Sequence, residues 1–298
     1  MDVGIGLPGG IPGTDGKTLV EWARHADGTG LSTLGTIDRL VYPNYDPFIS
    51  LAAAAVVTER IGLMTTVLLG PLRPNAISVA KEALSLDRLS NGRFSLGIGL
   101  GARGDDYEAS GIPTGNRGKV FDRQLEEIKS VFAGEKKGLK GPVGPPPVRE
   151  GGPELIVGGG VDASFKRAAR FGDGWIMSGG TPDQFSEMGG KADEAWKEAG
   201  RSDTPRKLSL AYFSLGPNAE QNADNYIHDY YSWLGDDVAG MIASSAAKDE
   251  DTVKSYISGF ADAGCDELIF FPCSSDVEQV ELLASAAGVP SSKAAARA

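Results

Sequence analysis

The stretch Gly99-Leu100-Gly101-Ala102-Arg103-Gly104, "GLGARG", satisfies the dinucleotide spacing G-x-G-x-x-G and follows an alternating apolar run, "RFSLGIGL" (93–100). A dinucleotide fingerprint needs a helix opening directly after its glycines, so that the helix N-terminus meets a pyrophosphate. Here the next residues are Asp105-Asp106-Tyr107-Glu108, whose carboxylates repel phosphate, and Gly111 and Pro113 stop any helix within about two turns. The next apolar run, "ELIVG" (154–158), lies too far away for a compact βαβ unit. The spacing match alone is weak, and the nucleotide fold is set aside.

The alternation itself offers another reading. Phe94, Leu96, Ile98 and Leu100 point one way; Ser95, Gly97, Gly99 and Gly101 point the other. A row of glycines on one strand face marks close approach by something else. Two occupants fit: large side chains from neighbouring strands, or a flat ring seated at the strand's C-terminal end. The pattern leaves both open.

Working outward, similar short apolar segments recur at 2–7, 31–37, 61–69, 154–158, 174–178, 207–215 and 266–271, giving eight with the run at 93–100. Helical periodicity fills the intervals at 17–30, 46–60, 75–92, 115–134, 162–171, 182–199, 218–247 (broken) and 275–287. Eight strand-then-helix units predict a single (β/α)₈ TIM barrel over residues 1–298, with insertions after strands 4 and 7. A doubly wound sheet with a second domain needs a composition break. The best candidate, "GEKKGLKGPVGPPPVREGGP" (134–153), falls between the fourth helix and the fifth strand and reads as a surface loop. The segment 218–247 lies where a barrel carries a helical lid.

Bulk properties narrow the function. The net charge of −11 disfavours nucleic acid and anionic lipid as partners. No apolar run reaches the roughly 20 residues of a membrane span, and "MDVGIGLPGG" lacks a secretory pattern. Cys265 and Cys273 are the only cysteines, so the expectation is a reducing, cytoplasmic setting with no metal centre. His25 and His228 are the only histidines; His25 falls on the first outer helix. A cofactor-free lyase needs a lysine or paired carboxylates at strand ends. Lys166 and Lys207 fall on a helix and at a strand start instead.

The runs "IGLMTTVLLGPLRPNAISVAKEALSLDRLSNGRFSLGIGLG" (61–101), "ELIVGGGVDASFKRAARFGDGWI" (154–176) and "FADAGCDELIFFP" (260–272) together resemble the luciferase-like monooxygenase superfamily, over essentially the whole chain. The resemblance implies a barrel binding FMN or the deazaflavin coenzyme F420. It further implies a flavin- or deazaflavin-dependent oxidoreductase. One form is monooxygenation of a small organic substrate with reduced FMN and dioxygen; the other is hydride transfer with F420. It also implies a homodimer. In many members the third strand carries a bulge with a non-proline cis peptide behind the ring; the matching residues are Thr66 and Val67. Gly99 and Gly101 lie along the ring's wall.

Gly158-Gly159-Gly160 resembles the family's phosphate-side turn. Three glycines ahead of a helix expose backbone N–H groups to an anion; the alternative is simple capping by Asp162 or Ser164. Ser178-Gly179-Gly180-Thr181 forms a second small-residue turn, and the pair is read as one cradle. At the end of the second strand, Asp38-Arg39 falls where many F420-dependent members have Asp-His. Arginine stays protonated and cannot serve as a base, so its reading is to stabilise an anionic ring or fix an acidic substrate. The alternative is a surface pair with Asp38. Ala102 stands where the sugar-phosphate dehydrogenase branch has glutamate, which argues against that activity. Asp105, Asp106, Tyr107 and Glu108 read as a solvated loop, the alternative being a rim to the pocket, and Cys273 as a thiol close enough to the mouth to be worth labelling. The missing histidine also fits a rival, a flavin-binding barrel without turnover.

Overall fold

The computed structural model describes residues 1–138 and 140–289. Its barrel strands are β1 (Asp2–Gly6), β2 (Thr33–Thr36), β3 (Gly62–Thr65), β4 (Phe94–Gly99), β5 (Glu154–Gly158), β6 (Gly174–Met177), β7 (Arg206–Phe213) and β8 (Glu267–Pro272). All neighbours are parallel. The sheet closes into one ring: Asp2 of β1 stands opposite Glu267 of β8, and Leu63 of β3 opposite Phe94 of β4. This is a closed (β/α)₈ barrel, and the open doubly wound sheet is excluded. After Thr65 the third strand breaks and resumes as Leu68–Leu69, pairing with Ile98 and Gly99.

The outer layer comprises α1 (Gly16–Asp27), α2 (Pro47–Ala55), α3 (Ala76–Leu89), α4 (Gly104–Ser110), α5 (Arg117–Phe132), α6 (Asp162–Phe171), α7 (Pro182–Glu198), α8 (Ala219–Tyr231), α9 (Asp236–Ser244), α10 (Glu250–Asp262) and α11 (Glu278–Ala286). Phe94, Leu96 and Ile98 pack outward into the helix layer, as their alternation predicts. The short α4 after the "GLGARG" run ends at Gly111 in the left-handed conformation, φ 68°.

Two segments differ from expectation. The 134–153 run contains a small antiparallel hairpin, Lys136–Gly138 with Gly141–Pro142. Val148 from this run would meet a Cβ on Gly92, just before β4, so the excursion covers the N-terminal face, away from the strands' C-terminal ends. The helix that returns the chain from β7 to β8 is α10, which the periodicity at 218–247 did not include. Its start is legible in hindsight, since the Asp249 side chain accepts the Thr252 N–H. The pair α8 and α9 is thus extra to the repeating unit.

The barrel interior is filled. Met64, Ile156, Ile176, Leu208, Ile269 and Phe271 form one buried cluster. Below it Arg206 is ion-paired with Glu154 and with the fully buried Glu267. Inward glycines make room for this plug. A Cβ on Gly6 would lie 2.4 Å from Phe271, and one on Gly97 only 2.0 Å from the Thr65 carbonyl oxygen.

A methyl group at Gly97 must therefore displace backbone. Gly97→Ala is expected to destabilise the fold by about 1–3 kcal/mol or more. Gly190, on the exposed face of α7 with open space around it, gives the opposite sign: Gly190→Ala should gain about 0.5–1 kcal/mol. Urea unfolding of the two variants measures both; equal effects would contradict this packing.

Candidate active site

The C-terminal ends of the strands form a mouth whose floor is apolar. Ile37, Val67, Leu210 and Tyr212 lie half-buried on top of the interior plug. The Thr66–Val67 peptide is cis, and the Thr66 hydroxyl donates to the Thr36 carbonyl at 3.1 Å. Val67 settles the question posed by the glycines. Its methyls would lie 2.9 Å from a Cβ on Gly99 and 3.0 Å from one on Gly158; Leu69 does the same to Gly101 at 2.8 Å. The space beside Gly99 and Gly101 is thus filled by side chains of the neighbouring strand. The surface those glycines were expected to present is presented by Val67.

Two turns flank this floor. In Gly158-Gly159-Gly160, Gly159 has φ 144° and its carbonyl accepts the Trp175 indole N–H at 2.6 Å. Ser164, not Asp162, closes the start of α6: its hydroxyl accepts the Val161 N–H at 3.0 Å. In the second turn Gly179 and Gly180 have φ 107° and 136°. Thr181 caps α7, its hydroxyl accepting the Gln184 N–H at 3.3 Å while the Gln184 side chain accepts the Thr181 N–H at 3.0 Å. Its hydroxyl oxygen thus serves as the helix cap. Gly160, Ser178 and Gly180 remain exposed.

Asp38 and Arg39 do not act as a pair. The Asp38 carboxylate accepts the Leu69 N–H at 2.9 Å and faces Arg73 at 3.3 Å. Burial pushes its pKa up, against the pull of Arg73. Arg39 turns the other way, and its Nε donates to Asp106 at 2.6 Å in a pair whose side chains are 4% and 2% exposed. Asp106 also accepts the Leu40 and Val41 N–H groups at 3.0 and 2.7 Å. The loop expected to be solvated is thus an anchor, with Asp106 and Tyr107 both buried. Asp105 faces Arg39 at 3.4 Å and Arg103 at 2.7 Å, and its hydrogen bond to Arg103 holds its carboxyl below the usual range. Among the described residues the Arg39 Nη1 meets no acceptor; its guanidinium lies 5.8 Å from the ring centres of both Tyr42 and Tyr230.

Through this cluster α8 is fastened over the mouth. Tyr42 meets Tyr230 edge to face at 5.0 Å and donates its hydroxyl proton to Asp229 at 2.6 Å. Arg103 donates to the Tyr230 carbonyl at 3.1 Å and lies 5.0 Å from the Trp233 ring. Tyr226 and Tyr230 join Cys273 in a second apolar cluster, and Ile37 and Tyr212 touch both that cluster and the plug. Both histidines lie elsewhere: His25 faces Glu281 and His228 faces Asp224 across the surface. Cys273 is buried with its thiol pushed up by desolvation, and Cys265 is pushed up to about 12 for the same reason. Cys273 is therefore not the accessible thiol its position suggested. The sequence reading also missed Tyr212 and Arg103 as parts of the site. Among the described residues no cluster of histidine, cysteine or carboxylate side chains is arranged to hold a metal, and no helix is long and apolar enough to cross a membrane.

The luciferase-like monooxygenase family model matches residues 1–264, and the chain belongs to that family of oxidoreductases. An uncharacterized protein of Mycobacterium tuberculosis is 34% identical over 215 residues, 68% of this chain and 76% of the relative. An F420-dependent secondary alcohol dehydrogenase in complex with an F420-acetone adduct superposes with a TM-score of 0.79 at 16% identity, covering 96% of this chain and 97% of the other. The oxygenating constituent of a type II Baeyer-Villiger monooxygenase from Pseudomonas putida, in complex with FMN, gives 0.69 at 18% identity, covering 100% and 98%. At these identities the two structures establish the shared fold.

Removing one partner of a buried ion pair leaves the other charge uncompensated. Asp106→Asn should therefore cost roughly 3–5 kcal/mol in urea unfolding; a loss below about 1 kcal/mol would place Asp106 on the surface. A thiol reagent at pH 8 should modify neither cysteine in the native protein and both after denaturation, as read by mass spectrometry.

Proposed function

We propose that the chain is a flavin- or deazaflavin-dependent oxidoreductase that binds FMN or F420 across the barrel mouth and acts on a small, uncharged organic molecule. The observation that carries this is the half-buried apolar floor of Ile37, Val67, Leu210 and Tyr212, flanked by two glycine turns and roofed by α8. The residues fit such a group. A planar ring matches the floor, and Gly160 and Gly180 are exposed beside the starts of α6 and α7, where backbone N–H groups and the helix dipole favour a phosphate. When bound, the cofactor supplies the electron or hydride transfer that no side chain here can provide. The chain's own part is to seat the ring on Val67, hold the phosphate at the turns, and exclude water beneath the tyrosines of α8.

Asp38 and Arg39 contribute by position. Asp38 fixes Leu69 and Arg73 beside the bulge, and Arg39 fixes α8 over the mouth. Because neither offers a free base, a barrel that binds cofactor without turnover is the second reading. Cofactor reduction or oxidation no faster than that of the free compound would favour it.

Titration with FMN and with F420, followed by fluorescence quenching, should show saturable binding of one of them. At a hundred times its Kd the ligand should add about 2.7 kcal/mol to the stability. Binding of neither would overturn the reading. Gly159 is a poor place to test the cradle, because a Cβ there lies 2.7 Å from Ser164 and φ is positive. Gly160 has no such strain, its nearest neighbour being Met188 at 3.7 Å. Gly160→Asp should weaken the bound cofactor at least tenfold with the thermal midpoint of the free protein unchanged. Equal affinity would remove the phosphate from that turn.

A further inference from the structure

Tyr212 is the last inward residue of β7. Leu210 stands opposite Ile269 in β8, and Tyr212 opposite Phe271, so the tyrosine rises directly above the plug. Its hydroxyl lies 3.0 Å from that of Tyr231, at the end of α8. Among the described residues this is the one hydrogen bond either hydroxyl makes. Two phenols carry two hydrogens, and the bond between them uses one. The second O–H is left without an acceptor.

The surroundings define what it can meet. The Tyr212 ring lies 6.1 Å from Tyr226 and 6.0 Å from Tyr231, and Tyr230 lies 4.9 Å from Tyr231. The spare donor thus lies within an aromatic wall. Burial holds both phenols protonated well beyond neutrality, which makes the pair a donor and not a base. The nearby cations, Arg39 and Arg103, are matched by Asp105 and Asp106. An anion gains no net attraction there, whereas an uncharged acceptor gains a hydrogen bond in a dry site.

We infer that the Tyr212–Tyr231 hydroxyl pair is the binding point for the carbonyl oxygen of an uncharged, largely apolar ketone or aldehyde, and that it holds that carbonyl over the floor of the mouth. This rests on the reading of the mouth as a cofactor site. The pair orients and polarises the carbonyl, and no proton leaves it.

The test uses para-dimethylaminocinnamaldehyde, whose absorption moves to longer wavelength when its carbonyl accepts a strong hydrogen bond. The probe is added to protein saturated with the oxidised form of whichever cofactor binds. The native protein and the remote variant Tyr256→Phe should show the shift. The double variant Tyr212→Phe/Tyr231→Phe, which keeps neither phenol O–H, should lose it and bind the probe about five- to tenfold more weakly, the equivalent of one neutral hydrogen bond. It should still bind the cofactor, with its thermal midpoint lowered by no more than a few degrees. Each single variant keeps one O–H and should retain part of the shift. Cofactor binding with no probe shift in the native protein, or a full shift that survives in the cofactor-loaded double variant, overturns the tyrosine pair alone. Failure of both cofactors to bind removes the reading of the mouth and this inference with it.

Discussion

The volume inside the strand cylinder is the constraint on which the rest of this molecule depends. Eight inward-facing columns share it, and several of the large residues are matched by a glycine on a neighbouring strand. Phe271 occupies the space that a side chain on Gly6 would take, and Ile156 comes within 2.7 Å of where a Cβ on Gly174 would stand. The exchange raises a solid plug to the level of Leu210 and Ile37. It leaves a shallow apolar floor above, and no pore. Val67 completes that floor because Gly99 and Gly158 leave space for its methyls.

A second constraint determines what surrounds the floor. Arg39, Asp105, Asp106 and Arg103 bring together the loop after β2, the start of α4 and the end of α8. Arg39 and Asp106, the two buried charges of the four, are tolerable because they oppose and hydrogen-bond one another. The cluster acts as a clamp with a balanced charge, and that is why the mouth beneath it reads as a site for uncharged compounds. It also accounts for arginine at a position where the family's resemblance leads one to expect histidine: the side chain is needed by Asp106 and by the faces of Tyr42 and Tyr230.

The fold was largely legible because short, nearly continuous apolar runs separated by helical periodicity mark strands buried on both sides of a barrel wall, and because glycine and apolar residues fall into register along 93–100. What escaped had physical reasons. Helix α10 was overlooked because 218–247 already supplied a helical pattern after β7. Asp105 and Asp106 look solvated between glycines; the burial of Asp106 becomes favourable only through Arg39, 67 residues away in the chain. Asp38 and Arg39 are adjacent in sequence, yet their side chains serve different loops. Tyr212 lies in plain alternation with Leu208 and Leu210, but its role depends on Tyr231, whose placement by α8 no local pattern specifies. Gly99 and Gly101 were correctly read as points of close approach, with Val67 and Leu69 as the residues that approach.

The central claim is that the mouth receives a planar cofactor on this floor. The most direct measurement is a crystal structure of the protein grown with FMN or F420. The account predicts a tricyclic ring lying on Val67 and Leu210, with its phosphate at the turns that end in Gly160 and Gly180. Density for the ligand at any other surface, or a floor closed by the tyrosines of α8 at saturating ligand, would contradict it.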